Sequence, residues 1–389
     1  MLKPVLNCSI EGIHVIRERE LANVSENDGA PLLRGRRDFA EVRTRLNEWL
    51  ARRLPELGDL AITRLEAPAS GGVANETLLI ETTCANGPGP GLVVRPEGEP
   101  WLYPGVTLDL HHEMYVGVHA AGTVPTPAIL AFEDDPSVLG QRFLLMERMP
   151  GQAAPDRPNF NEAGWLRDLP EAERETVWHG AVGAIAALHA IEASRFPLLC
   201  SRAAGKPGLQ AAIDYWVDYA RWCDRLEHPL ISAALVWLER NCPVGLPSSL
   251  SWGDARLQNL MFDGTRCTAL LDWDLVSLAG AEADLAWWAL ADHKQTASRG
   301  RPRLAGIGSP ASTIRLWESL AGRKTVAMDW HLVFASLRQA LIAFRLDQAA
   351  LLRGEAAAPE PAIGLQWLAC LLELPLGQKM TLPFVGLEY

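Results

Sequence analysis

The chain has 389 residues, 36 Lys and Arg against 47 Asp and Glu, and a net charge of −11. With 48% hydrophobic and 21% charged residues it has ample core for two domains or one two-lobed unit, which excludes disordered, collagen-like and low-complexity chains. The acidic balance argues against nucleic acid or an anionic membrane surface as the main partner.

In chain order, residues 1–36 read as a polar N-terminal extension ending in a basic Arg-Gly-Arg-Arg run. They lack the apolar region of a signal peptide. Asp38 is placed to cap a helix over 39–54, where Phe39, Val42, Leu46, Trp49 and Leu50 recur at helical spacing. Short strand-like runs follow at 60–65, 77–82, 92–95, 128–132 and 142–147, with a single helix predicted at about 105–121. The turn-rich stretches 70–75 and 86–91 separate the first three runs.

Beyond Met149-Pro150-Gly151 the pattern turns helical, at about 171–193, 209–224, 229–240, 282–293, 311–321, 327–353 and 361–373. Only 248–275 breaks it, as short strands and loops. Pro150-Gly151 is therefore the expected boundary between residues 37–149 and 150–389. The longest uncharged apolar stretch, 180–191, is far short of the ~20 residues a membrane span needs. Seven scattered cysteines without a C-x-x-C predict reduced thiols and a cytoplasmic protein.

The chemistry concentrates in Trp252-Gly-Asp254-Ala-Arg256-Leu-Gln-Asn259-Leu and Leu271-Asp272-Trp-Asp274. Phosphoryl transfer needs a carboxylate to orient and deprotonate the attacking hydroxyl, and oxygen ligands for Mg²⁺ on the nucleotide phosphates. A D-x-x-x-x-N loop followed one hairpin later by another aspartate supplies both. No G-x-G-x-x-G follows a strand, which argues against a dinucleotide-binding oxidoreductase. The histidine and carboxylate ligands of a metal-dependent hydrolase are not gathered either.

These motifs, with Asp284-Leu-Ala further on, resemble the aminoglycoside phosphotransferase (APH/choline kinase-like) family. They are most similar to the phosphotransferase domains associated with acyl-CoA dehydrogenases. The resemblance implies an α+β, protein-kinase-like two-lobed fold, with a small strand-rich N-lobe and a larger, mainly helical C-lobe. It implies transfer of a phosphoryl group from ATP, with Mg²⁺, to a hydroxyl of a small molecule: a hydroxyacyl-CoA or hydroxy acid before an aminoglycoside or amino alcohol.

By this resemblance Asp254 is the catalytic base, and Asn259 and Asp272 are the metal ligands. Gly71, Gly72 and Asn75 form the phosphate loop, Arg95 is the nucleotide-pairing cation, and Glu113 orients Arg95. Glu147 and Met149 form the linker that meets adenine. Asp284 is expected to anchor the catalytic loop, and His189 to satisfy a buried hydrogen bond. Asp274 is expected at the surface, with an auxiliary metal or substrate role as the alternative, and Arg256 in a surface ion pair or on a phosphate. Tyr215, Trp216, Tyr219 and Trp222 share one helix face and could wall an acceptor pocket. Trp252 and Ala74 depart from the histidine and serine of the family pattern. Those departures leave a catalytically weak, nucleotide-binding pseudokinase as the alternative.

Overall fold

The computed structural model describes residues 38–68, 76–355 and 362–373. The N-terminal extension and the glycine-containing loop with Gly71, Gly72 and Asn75 lie outside the described residues.

Helix α1 (Phe39–Arg53) starts where Asp38 predicts, because its carboxylate accepts from the N–H groups of Ala40 and Glu41. Five strands follow: β1 (Ala61–Glu66), β2 (Leu78–Cys84), β3 (Leu92–Pro96), β4 (Ile129–Glu133) and β5 (Phe143–Glu147). They form an antiparallel sheet in the order β1-β2-β3-β5-β4, with a two-residue extension at Gly87–Pro88 paired to β2. Helix α2 (Leu108–Ala121) crosses from β3 to β4, capped by the Thr107 side chain.

In β5 the first four residues are all buried, because both sheet faces are covered. Phe143 and Leu145 join a small core with Val42, Leu46, Trp49 and Leu50 of α1. Leu144 and Met146 face the other way, into a larger core that holds Leu110, Met114 and Val118 of α2 and runs on into the helical lobe. One continuous core therefore crosses Pro150. The chain turns there through Gly151 at φ +98°, where a Cβ would lie 2.0 Å from the Phe262 carbonyl oxygen.

The helical lobe is built from α3 (Glu171–His189), α4 (Pro197–Arg202), α5 (Gly208–Trp222), α6 (Pro229–Arg240), α7 (Ala281–Gln295), α8 (Pro310–Ala321), α9 (Met328–Leu352) and α10 (Ile363–Leu371). Helix α4 has no counterpart in the hydrophobic periodicity, being too short to show one. Between α6 and α7 the hairpin β7 (Leu260–Asp263) and β8 (Arg266–Leu270) interrupts the helices, and β6 (Gln152–Ala153), ahead of α3 in the chain, pairs with β7 to complete a three-stranded antiparallel sheet. Among the described residues no helix is long and apolar enough to cross a membrane, and the cysteines form no disulfide.

Candidate active site

The segment before β7 carries Asp254 and Asn259, and the end of β8 leads into Asp272 and Asp274. Pairing of β7 with β8 brings these stretches together, with Leu260 opposite Leu270 and the Leu271 N–H on the Asn259 carbonyl at 3.0 Å.

Asp254 is held by three donors. The Trp287 indole N–H reaches Oδ1 at 2.6 Å, while the Asn259 amide (2.7 Å) and Arg256 Nε (3.0 Å) reach Oδ2. Burial would raise its pKa, but the Arg256 charge and these hydrogen bonds outweigh that and hold the carboxyl below its ordinary value. Arg256 is itself bridged to Asp156 at 2.9 Å. The Asn259 amide faces Asp254, so its Oδ1 is left for another partner. Asp254 is thus an ionised acceptor whose side chain is still 17% exposed.

Asp272 adopts a left-handed backbone, φ +67°. Its pKa is pushed up to about 7 by burial and by the neighbouring Asp274 charge. Asp274 behaves oppositely. Burial opposes its charge, yet Arg95 and His111 bring it down to about 2. Both donors meet the same oxygen, Arg95 Nη2 at 3.0 Å and His111 Nε2 at 2.8 Å on Oδ1. Burial and the Arg95 charge keep His111 below its ordinary pKa, so the neutral ring donates its Nε2–H to Asp274. An open cleft of about 390 Å³ lies against this cluster. Arg95, His111, Asp274 and Tyr103 line it, with the 96–100 strap that leaves β3.

Asp254, Asn259, Asp272 and Arg95 are thus brought together; Glu113 is not. The expected Arg95–Glu113 pair does not form, because Glu113 accepts from the N–H groups of Leu198 (2.7 Å) and Leu199 (2.9 Å) in the first turn of α4. Those N–H groups have no helical partner of their own, which makes them a better match for a carboxylate than a guanidinium already engaged. Asp274, expected at the surface, is instead buried and takes the place assigned to Glu113. In the linker, the Glu147 N–H donates to the Ala128 carbonyl at 3.0 Å. Met149 makes no backbone hydrogen bond with a described residue.

Asp284 carries the role expected of it. Fully buried, it accepts from Ser251 Oγ (2.9 Å), Trp252 N (2.6 Å), Gly253 N (2.7 Å) and His189 Nε2 (2.8 Å). His189 receives the Trp317 indole N–H on Nδ1 at 3.0 Å, which fixes the neutral tautomer. Trp252 does more than fill space where the family places histidine. Its indole N–H donates to the Leu271 and Asp272 carbonyls at 3.0 and 2.9 Å. On the face of Tyr215, Trp216, Tyr219 and Trp222 the rings pack on one another, edge to face for Tyr215–Trp216 and Tyr219–Trp222 and tilted for Trp216–Tyr219. Arginines cover part of it, Arg345 over Trp222 at 4.0 Å and Arg338 over Trp216 at 5.6 Å, so these two rings already carry cations of the chain itself.

Three residues of this site escape sequence reasoning. His111 escapes it because adjacent histidines on a helix face different ways, and Trp287 because an indole in an apolar helix shows no sign of a polar partner. Arg338 did carry a signal, as the only Lys, Arg, Asp or Glu between Trp330 and Phe344.

The donor set suits a hard divalent cation. Three carboxylates share one field, from Asp254, Asp272 and Asp274, and Asn259 adds an amide oxygen. Among the described residues no cluster of three or more His, Cys, Asp or Glu forms a closed metal cage. Mg²⁺ keeps waters and takes one or two protein ligands beside substrate phosphates.

Known proteins agree with this architecture. A structure from Ralstonia eutropha, provisionally assigned as an aminoglycoside phosphotransferase, superposes with a TM-score of 0.61 at 23% identity, covering 84% of this chain and 98% of that one. The apo form of a thermostable mutant of aminoglycoside phosphotransferase APH(4)-Ia gives 0.51 at 15% identity, covering 85% and 100%. These similarities establish the kinase-like fold.

Among curated proteins, mouse acyl-CoA dehydrogenase family member 10 is 28% identical over 172 residues, 43% of this chain and 15% of that protein. Human family member 11 is 26% identical over 169 residues, 43% and 21% respectively. The chain therefore matches only a small part of these longer relatives. The sequence profile of the phosphotransferase enzyme family matches residues 66–322, well over half of the chain. The protein therefore belongs to the phosphotransferase enzyme family.

Proposed function

We propose that the protein transfers the γ-phosphoryl group of ATP to a hydroxyl of a small acid or acyl thioester, with Asp254 as the catalytic carboxylate. The observation that carries this reading is the bonded cluster of Asp254, Asn259 and Arg256 beside Asp272 and the Asp274–Arg95 pair. It unites a held base, oxygen ligands and two guanidinium groups.

Asp254 keeps its charge, orients the acceptor hydroxyl and takes the proton as the oxygen attacks. Asn259 Oδ1 and Asp272 would hold Mg²⁺, which when bound neutralises the phosphates and draws charge from the leaving group. Arg95 and Arg256 bring fixed positive charge to the phosphate side of the cleft. Because the transferring group is loosely bonded at the transition state, placement and charge neutralisation supply most of the acceleration. Met149, with its free backbone, is the adenine contact in this reading. Gly71, Gly72 and Asn75 are its phosphate loop.

Two things support an acidic acceptor over an aminoglycoside. The curated relatives carry acyl-CoA dehydrogenase names. Arg202, whose charge acts on His111, has no ion-pair partner among the described residues, whereas Lys206 is taken by Asp214. The Trp252 indole keeps a donor at that position, which weakens one of the two departures behind the pseudokinase alternative; Ala74, the other, lies outside the described residues.

The test is incubation with Mg-ATP and a panel of hydroxyacyl-CoAs, hydroxy acids and aminoglycosides, followed by phosphorus NMR and mass spectrometry. A mass gain of one phosphoryl on a hydroxyacyl substrate, absent with Asp254→Ala, is expected. Phosphorylation of the aminoglycosides alone would overturn the acceptor class, and no transfer to any member would overturn the enzyme reading.

A further inference from the structure

Arg338 is 2% exposed, in the middle of the most deeply buried part of α9. A guanidinium so far from water is costly unless something on the protein requires it. Burial lowers its pKa, and the Asp284 and Asp254 carboxylates pull the other way.

Its contacts converge on the catalytic loop. Nη2 donates to the Gly253 carbonyl at 2.6 Å. That carbonyl belongs to the peptide immediately before Asp254. On the other side of the same glycine, its N–H and that of Trp252 donate to Asp284. Gly253 sits at φ +92°, and a Cβ there would lie 1.9 Å from the Leu275 carbonyl oxygen. Glycine is obligatory here, yet it is also the residue least able to hold its own orientation. An anion on its N–H side and a cation on its C=O side set that orientation.

A second arm reaches the Asp254 side chain. The Arg338 guanidinium lies over the Trp287 ring, 4.6 Å from the centroid, and the same indole donates its N–H to Asp254 Oδ1 at 2.6 Å. A cation over an indole face is held there by the ring quadrupole and pulls electron density from the ring, which strengthens the N–H as a donor.

We propose that Arg338 is the positioning residue of the catalytic carboxylate, fixing the Gly253 peptide directly and the Asp254 side chain through Trp287. This rests on Asp254 being the base. Placement is the main lever in this chemistry, and displacement of about 1 Å can cost 10²-fold in rate.

The experiment uses the full chain with Arg338→Met, Arg338→Lys, Trp287→Phe and the Arg338→Met/Trp287→Phe double variant. Arg338→Met keeps the volume but leaves the buried Gly253 carbonyl without its donor, so some loss of stability is expected and each variant is first shown to be folded by tryptophan fluorescence. Its kcat is expected to fall about 10- to 100-fold with the KM for ATP within about two-fold, and Arg338→Lys to recover part of the loss. If Arg338 acts partly through Trp287, the double variant loses less than the product of the two single losses. A folded Arg338→Met with wild-type kcat overturns the proposal, as does strict multiplicativity of the two losses.

An activity-independent readout separates this from the base assignment. In tryptophan-labelled protein, the Trp287 indole resonance is identified by its disappearance in Trp287→Phe. It is expected to shift in Arg338→Lys and Arg338→Met, with the distant Trp49 signal unmoved; an unmoved Trp287 signal overturns the proposal. Full turnover in Asp254→Ala would instead overturn the base assignment and leave the Arg338–Trp287 contact to be judged by the NMR result.

Discussion

Arg95 and Asp274, 179 positions apart, are joined at 3.0 Å in the interior of the cleft. Their side chains are 12% and 5% exposed. The pair links the sheet to the loop that carries Asp272, so in the proposed reading the nucleotide-side cation is tied directly to the metal-side loop.

Breaking that pair leaves a charge uncompensated. Asp274→Asn is expected to destabilise the protein by about 3 kcal/mol or more, since removing one partner of a buried pair strands the other. Urea unfolding followed by tryptophan fluorescence checks this. Glu113→Gln, which alters only the contacts to Leu198 and Leu199, is expected to leave ATP binding near wild type, and a large rise in the KM for ATP would restore the role first expected of Glu113.

Removing the proposed base is a separate matter. Asp254→Asn is expected to lower kcat by about 10²- to 10⁴-fold, the usual range for a general base. Mg-ATP affinity by calorimetry should change little, because Asp254 is not among the proposed metal ligands.

Asp272 makes a prediction about pH. Its folded pKa is raised to about 7, whereas an unfolded aspartate ionises near 3.9. Between about pH 4 and 7 the native state holds a proton the unfolded state has lost, so the Asp272 contribution to stability falls as pH rises through that window. Asp274, held down at about 2, titrates below it and contributes stability that is lost as pH falls from about 4 to 2. In EDTA, wild type should lose stability relative to Asp272→Asn between pH 5 and pH 8. Mg-ATP should oppose that loss, since cation binding needs the ionised carboxylate. A difference between the two proteins that does not vary with pH would contradict the raised pKa.

Trp252 offers a test of the departure from the family pattern. Trp252→Phe keeps the ring in the core but leaves the Leu271 and Asp272 carbonyls without their donor. The expected cost is about 1–3 kcal/mol, the penalty for orphaned buried polar groups. Trp252→His, which returns a ring N–H donor, should retain turnover better than Trp252→Phe in a direct kinetic comparison.

The elements were largely legible in the sequence. Helix α6 matches its predicted range, and α9 and the five sheet strands fall within two residues of theirs at each end. Hydrophobic periodicity is local, and it survives folding wherever one face is consistently buried. The association of Asp254, Asn259 and Asp272 was legible for the same reason. They lie within one loop and one hairpin, so short-range strand pairing is enough to bring them together.

What the sequence could not decide was which faces of distant elements meet. Spacing places Glu113 and His111 on one helix, but only packing decides that Glu113 turns to α4 and His111 to Asp274. It could not show that an indole would take over a histidine's donor role, since that depends on where two carbonyls after β8 come to rest. It marked Arg338 as an isolated charge in an apolar helix without showing its target. The composition and local order of this chain determined its lobes and its reactive residues. Long-range packing alone decided their partners, because burial selects a partner by proximity in space and not by distance along the chain.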